Sequence, residues 1–329
     1  MSSEWKNRKV TVKVPASTAN LGPGFDTLGM ALSLYAWIEM SASDETSFRF
    51  YGGNMEGLPK DKTNLLYKVA QKVFDEAGVS LPELDIAMYS EIPLTRGLGS
   101  SAAAIVGSLA AANALIGGPL TDDRLFQIAT ELEGHPDNVG ASMFGGIVVS
   151  AWDGQRADYV RLEPHSRLET LVAIPSFQLA TKQARHALPK EVPMADAVFN
   201  VGRSSLLVAA LAAGQLELIG SAMRDRLHQP YRAALIPGMS AILERAAEFG
   251  ALGAALSGAG PTLIAFADAD SADKTRLERF LTDTLGAEGI EAETIWLKPA
   301  AAGAELTIED NREDGQPSLP DRIKGEACR

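Results

Sequence analysis

Cysteine is all but missing. The only one, Cys328, stands next to the C-terminal end of the 329-residue chain, so neither an internal disulfide framework nor a cysteine metal cluster can be built. Such usage fits a reducing compartment. Basic residues are in deficit: thirty Lys plus Arg stand against forty-two Asp plus Glu, a formal charge of -12. That field repels a phosphate backbone, and no basic run offsets it locally, which argues against a nucleic-acid partner. Long apolar runs are lacking too. The longest, Ala102 to Gly118, has alanine as its commonest residue and is interrupted by Ser108 and Asn113, and the opening MSSEWKNRKV has no apolar signal-peptide core. We therefore expect a cytoplasmic protein without a membrane partner.

What is present suits a folded chain. Hydrophobic residues make up 46% and charged residues 22%, enough to bury a sizeable core, and the length allows two domains with a shared crevice. The first hundred residues are rich in strand signals, with KVTVKVPAS, SLYAWIEMSA, SFRFYG and LDIAMYSEIP in near alternation. NLLYKVAQKVFDEAG, from Asn64 to Gly78, reads as an amphipathic helix, and TDDRLFQIATELEG, from Thr121 to Gly134, as a capped one. MFGGIVVSAW then reads as a turn and a returning strand.

DGQRADYVRLEPHSRLE looks like a surface connection, which puts the boundary between a 1–164 and a 165–302 domain near Pro164. In the second half we expect helices over Ala195–Ala213, Gln215–Leu227, Met239–Phe249 and Ser271–Leu285, and strands at GAALSG, TLIAFAD and EAETIWL. This mixture suggests an α+β sandwich with helices on one face of an antiparallel sheet. Residues 303–329 are polar and charged without apolar period, and are expected to form a mobile acidic tail.

One stretch raises a chemical question. EIPLTRGLGSSAAAIVGSLAAAN, Glu91 to Asn113, runs from a strand end through Gly-Leu-Gly-Ser-Ser into an alanine-rich helix. Gly97 and Gly99 open the backbone to a ligand, Ser100 and Ser101 are cap candidates, and the helix N-terminus favours an anion. The loop alone leaves three readings open: a phosphate cradle, an ordinary strand-to-helix turn, and a dinucleotide fingerprint, since GLGSSA fits G-x-G-x-x-A. The last lacks its acid at a second strand end, because Asp122 and Asp123 sit at a helix start. No Gly-Lys-Ser/Thr occurs, which excludes a P-loop.

Two further turns bear on the choice. PASTANLGPGFDTLG, Pro15 to Gly29, sets Asn20 and Asp26 on either side of two glycines, and LSGAGPTLIAF holds Gly258 and Gly260 between two strands. Taken with PLTRGLGSSAAA, these stretches resemble the three signature motifs of the GHMP kinase superfamily, in order and over nearly the whole chain apart from the tail. The first motif, and EGHPDNVGASMFGG from Glu133 to Gly146, resemble its homoserine kinase branch. The resemblance implies a two-domain α+β fold, with an N-terminal ATP-binding domain like ribosomal protein S5 domain 2 and a ferredoxin-like C-terminal domain. It also implies transfer of the ATP γ-phosphoryl group to L-homoserine. Homodimers are common among such relatives, and the resemblance admits that assembly.

The resemblance further implies roles. Magnesium would be held by Ser101 and Glu133, and Asn64 would lie near the adenine. Pro93, Arg96, Gly97, Leu98, Gly99, Ser100, Ser101 and Ala102 would contact the nucleotide. A zwitterionic substrate needs an anion for its ammonium and guanidinium for its carboxylate. Asn20 and Asp26 correspond to the first need and Arg185 and Arg232 to the second, while His135, Asn138, Thr181 and Gly258 match other pocket positions. Asn138 stands where several relatives place a basic aspartate, so the catalytic base stays open between Asp137, His135 and none.

Overall fold

The computed structural model describes residues 7–53, 55–270, 273–311 and 317–327. Two long antiparallel strands, β1 (Arg8–Asn20) and β2 (Gly24–Ser43), begin it. Their register shifts between Pro15 and Ala16 and again between Ala19 and Asn20, irregularities that re-aim side chains beside a site. β3 (Ser47–Gly52), α1 (Leu65–Glu76) and β4 (Glu83–Ser90) follow, with β3 and β4 parallel. Next come α2 (Ser100–Leu115), α3 (Asp122–Glu133), α4 (Asp137–Phe144), β5 (Ile147–Trp152) and β6 (Ala157–Leu162).

β7 (Leu168–Pro175) opens a second sheet. After it run α5 (Thr181–His186), α6 (Met194–Ala213), α7 (Ile219–Ala222), α8 (Gln229–Arg232), α9 (Met239–Arg245), β8 (Gly253–Leu256), β9 (Leu263–Asp268), α10 (Lys274–Ala287) and β10 (Ala292–Leu297). The four strands lie in the order β10-β7-β9-β8, all antiparallel. Pro164 falls between the last strand of the first sheet's β5–β6 hairpin and this second sheet.

α2 is the axis of the first layer. It is apolar on every side and nearly all its residues are buried, the mark of a central helix. Small residues let it lie close to the sheet: a Cβ on Gly107 would come within 2.4 Å of Ile38 Cδ1. Around it pack Val12, Val14, Ile38, Val73, Phe74, Ile128 and other fully buried side chains, each contributing about 1.5–3 kcal/mol relative to exposure.

Four expectations are corrected. The residues 303–311 are no loose tail: β11 (Glu305–Asp310) pairs antiparallel with β1 from Arg8 to Lys13. All six of its side chains are exposed; the backbone ladder holds it, with Lys13 paired to Glu305 at 3.6 Å and Arg322 to Glu309 at 2.8 Å. α11 (Leu319–Ala327) then buries Leu319 against Trp37 and Ala87 on the outer face of the sheet. Second, the expected surface connection contains β6, paired with β5; only Ala157 of this strand is buried, which erased the alternation. Third, Gln215–Leu227 is not one helix, because the Asp225 carboxylate accepts the amides of Leu227, His228 and Gln229 and starts α8 instead. Fourth, α4 is a helix that periodicity did not disclose. The start of the expected Ser271 helix and Cys328 lie outside the described residues.

Candidate functional site

Three turns from distant parts of the chain meet at the N-terminus of α2. In the first, Asn20, Leu21 and Asp26 have φ of 70°, 46° and 56°, a region costing non-glycine residues about 1–3 kcal/mol each. Hydrogen bonds hold them there. Asn20 Oδ1 accepts the Asp26 amide at 3.0 Å, and Asn20 Nδ2 donates to the Gly258 carbonyl at 2.9 Å.

The glycine loop is the second turn, with Gly97 and Gly99 at φ 80° and 70°. A Cβ on Gly97 would fall 2.4 Å from the Ser257 carbonyl oxygen, and one on Gly99 2.0 Å from Ser17 Oγ. These glycines therefore let turn pack on turn, as well as freeing the backbone. The Ser257 hydroxyl donates to Gly97 O, the Ser17 amide to Leu98 O at 3.2 Å and the Thr262 amide to Arg96 O at 3.2 Å. Neither Ser100 nor Ser101 caps α2, contrary to expectation: Gly99 is the N-cap, no side chain caps it, and both serines are already helical. The first-turn amides are thus left to a ligand, beside the positive end of the helix dipole.

Glu133 ends α3, where Gly134 at φ 82° stops the helix. Ser101 Oγ donates to Glu133 Oε2 at 2.9 Å. Burial pushes the Glu133 carboxyl above its usual range, more than His135 and the Ser101 hydrogen bond pull it down. Two adjacent hard oxygens, one on a carboxylate that a cation would relieve, fit magnesium, which takes one or two protein ligands and keeps its waters.

Next to this pair, His135 Nδ1 lies 2.6 Å from Asp137 Oδ1, which also accepts the Asn138 amide at 2.7 Å. Burial opposes the His135 charge, but Asp137, Glu133 and Asp26 outweigh it and raise its pKa. Ligand atoms of Asp26, His135 and Asp137 all lie within 4.8 Å of one another. Asn138 Oδ1 accepts from the Ser17 hydroxyl at 2.9 Å.

The two arginines arrive from the second sheet's helices. Arg185 of α5 grips Asp26 with both terminal nitrogens, Nη1 to Oδ2 at 3.0 Å and Nη2 to Oδ1 at 2.9 Å. Burial works against its charge; the Asp26 bonds and the fields of Asp26, Asp137 and Glu133 outweigh this and raise its pKa. Arg232 of α8 is buried at 2% exposure, and desolvation, helped by the charge of Arg185, lowers its pKa to about 10. Its Nε donates to Ala184 O at 3.2 Å and its Nη1 to Gly258 O at 3.1 Å.

One cleft of about 120 Å³ is lined by Asn20, Asp26, Gly97, Gly99, Ser100, Ser101, Glu133, His135, Asn138, Thr181, Arg185, Arg232 and Gly258. Asp137 also lines it. The other sequence candidates do not. Asn64 is buried, accepting the Leu66 amide as N-cap of α1 and donating to Pro59 O. Leu98 and Ala102 are in the core, Pro93 is half-buried, and Arg96 donates to Ser176 O at 2.7 Å. Residue-by-residue reading passed over Phe25 and His228. The signal for Phe25 was its place between the motif's second glycine and Asp26; that for His228 was only that the chain has four histidines.

Comparison with known proteins bears on the family and the fold. The sequence matches the GHMP kinases N terminal domain over residues 64–146 and the GHMP kinases C terminal domain over 207–280. It is 46% identical over 296 residues to a homoserine kinase of Carboxydothermus hydrogenoformans, covering 90% of this chain and 96% of that one. A homoserine kinase of Deinococcus radiodurans is 44% identical, with 90% and 96% covered. The crystal structure of homoserine kinase from Cytophaga hutchinsonii superposes with a TM-score of 0.81 at 29% identity, over 93% of this chain and 99% of that one. A mevalonate kinase structure at 16% identity and TM-score 0.62 shares the fold. On identity, coverage and fold together, the chain belongs to the homoserine kinase family of the GHMP kinases.

Proposed function

We propose that this protein transfers the γ-phosphoryl group of ATP to the side-chain hydroxyl of L-homoserine, releasing ADP and O-phospho-L-homoserine on the route to threonine, in the cytoplasm. The observation that carries the reading is a single cleft in which an uncapped helix N-terminus, a Ser-Glu oxygen pair and a carboxylate-arginine set face one another. An anion, a divalent cation and an amino acid's zwitterion each find a partner there.

The α2 first-turn amides at Ser100 and Ser101 bind and orient the terminal phosphates. Ser101 Oγ and Glu133 hold magnesium, which when bound neutralises charge developing on the phosphoryl oxygens. Asp26 and Asn20 receive the substrate ammonium, and Arg185 and Arg232 its carboxylate, so that the hydroxyl points toward the phosphate. Asn138 Oδ1 is taken by Ser17, and Asp137 Oδ1 by His135 and the Asn138 amide. We assign the acceleration to alignment and to charge stabilisation by amides and helix dipole.

The test is ADP release by purified protein with ATP and Mg²⁺, offered L-homoserine, D-homoserine, mevalonate and shikimate. L-Homoserine alone should give rapid turnover. Phosphorylation of another alcohol in its place would move the chain to a different branch; nucleotide binding without turnover of any would make it a binding protein.

A further inference from the structure

The two arginines share one aromatic ring. Phe25, one residue before Asp26, has the Arg185 guanidinium carbon 5.6 Å from its ring centroid and that of Arg232 at 5.4 Å, both inside cation–π range. His228 stacks on the same ring, with centroids 5.2 Å apart and planes at 30°. His228 is fully buried. Its Nε2–H donates to the Gly22 carbonyl at 2.7 Å, so its Nδ1 is the acceptor that faces Arg232 Nη1 at 3.2 Å.

This arrangement answers a physical difficulty. Two guanidinium groups converging on one carboxylate repel each other, so their positions must be held by something else. The face of an aromatic ring carries negative charge and attracts both, and His228 stacks on the ring while tying Arg232 to the first motif's backbone. Of the Arg232 nitrogens, Nε and Nη1 are committed to Ala184, Gly258 and His228. This leaves Nη2 for the cleft that Arg232 lines.

We propose that Phe25 is a positioning residue: its ring, braced by His228, holds Arg185 and Arg232 in register for one substrate carboxylate. The inference rests on the homoserine reading above, since it gives that site its selectivity for an α-carboxylate.

The experiment replaces Phe25 by pentafluorophenylalanine, which keeps the ring's shape but reverses the sign of its face, and separately makes Phe25→Leu and Phe25→Tyr. Both the fluorinated and the Leu proteins should raise the KM for L-homoserine roughly tenfold. KM for ATP should stay within about twofold and Phe25→Tyr should stay near wild type. If the fluorinated protein matches wild type, the ring acts by packing alone and the proposal is overturned. Equal loss toward ATP and L-homoserine would overturn it as well. Should wild-type protein itself ignore L-homoserine, the substrate reading falls first and takes this inference with it. A fluorine-insensitive enzyme that does use L-homoserine sinks only the role of Phe25.

Discussion

Arg185 and Asp26, 159 residues apart, close on each other through two parallel hydrogen bonds of 2.9 and 3.0 Å. One is the proposed partner of the substrate carboxylate and the other of its ammonium. Each therefore holds the charge that the proposed substrate would bring to the other. A zwitterion bound there would exchange one ion pair for two.

This exchange predicts a split between binding and stability. Asp26→Asn should raise the KM for L-homoserine by about tenfold to a hundredfold, the range of a charge-assisted hydrogen bond. The pair is about a third exposed on both sides, so its contribution to folding is about 1 kcal/mol or less. Steady-state kinetics beside thermal melts will show it; a large drop in melting temperature with unchanged KM would contradict it.

Metal dependence gives a second prediction. Glu133→Gln keeps the hydrogen bond with Ser101 within reach but removes the charged ligand. Half-maximal activity should then require at least about tenfold more Mg²⁺, and kcat at fixed metal should fall by about a hundredfold. Mg²⁺ titration of both proteins measures this. Chelation of metal from wild-type protein should abolish turnover.

The glycine loop makes a paired prediction. Gly99→Ala must place a methyl group 2.0 Å from Ser17 Oγ at a φ of 70°. It should lower the melting temperature by about 5 °C or more and weaken ATP binding. Gly118→Ala has a similar φ of 75° but open space around the new methyl, and should cost about 1 kcal/mol with unchanged kinetics.

A fourth prediction concerns pH. Burial first, and then the Arg232 charge, push the His228 pKa below its ordinary value against the opposing pull of Asp225, Asp26 and the Gly22 carbonyl. The folded chain thus binds fewer protons there than the unfolded chain. Stability from this site is complete above the usual histidine range near about 6.5, and is lost as pH falls from there toward the depressed folded value. The slope is at most about 1.4 kcal/mol per pH unit for one group. Denaturant melts from pH 7 down to 5 should show a shallower loss in His228→Gln than in wild type, whatever the offset between them.

The C-terminal strand and helix give the fifth. The described residues of 303–329 contribute nothing to the cleft lining, yet β11 covers the open edge of β1, and Leu319 with Ile323 covers Trp37, Tyr35, Tyr51 and Tyr89. Arg322 also pairs with Glu39, which is almost fully buried. Truncation after Gly303 should leave kcat/KM of the soluble fraction within about twofold of wild type while promoting self-association, since it bares a strand edge and an aromatic patch. Light scattering and kinetics on the same sample separate these effects.

The sequence by itself determined what is written locally. Glycines at positive φ, an alanine-rich helix behind them, the Thr121 cap of α3 and three ordered motifs were enough to point to a phosphate cradle, a kinase family and most of the residues that line its cleft. Long-range arrangement decided the rest. β11 is six residues long with none of them buried, and only one residue of β6 is buried, so neither strand carries a strong alternation of burial. The serines of the loop look like caps until the αL geometry of Gly99 starts the helix one residue earlier. The mutual pairing of Asp26 with Arg185, and the shared ring of Phe25, exist only where a turn of the first sheet meets helices of the second. Side-chain charge and aromatic faces act over a few ångströms in space, and nothing in chain spacing records which of them will be neighbours.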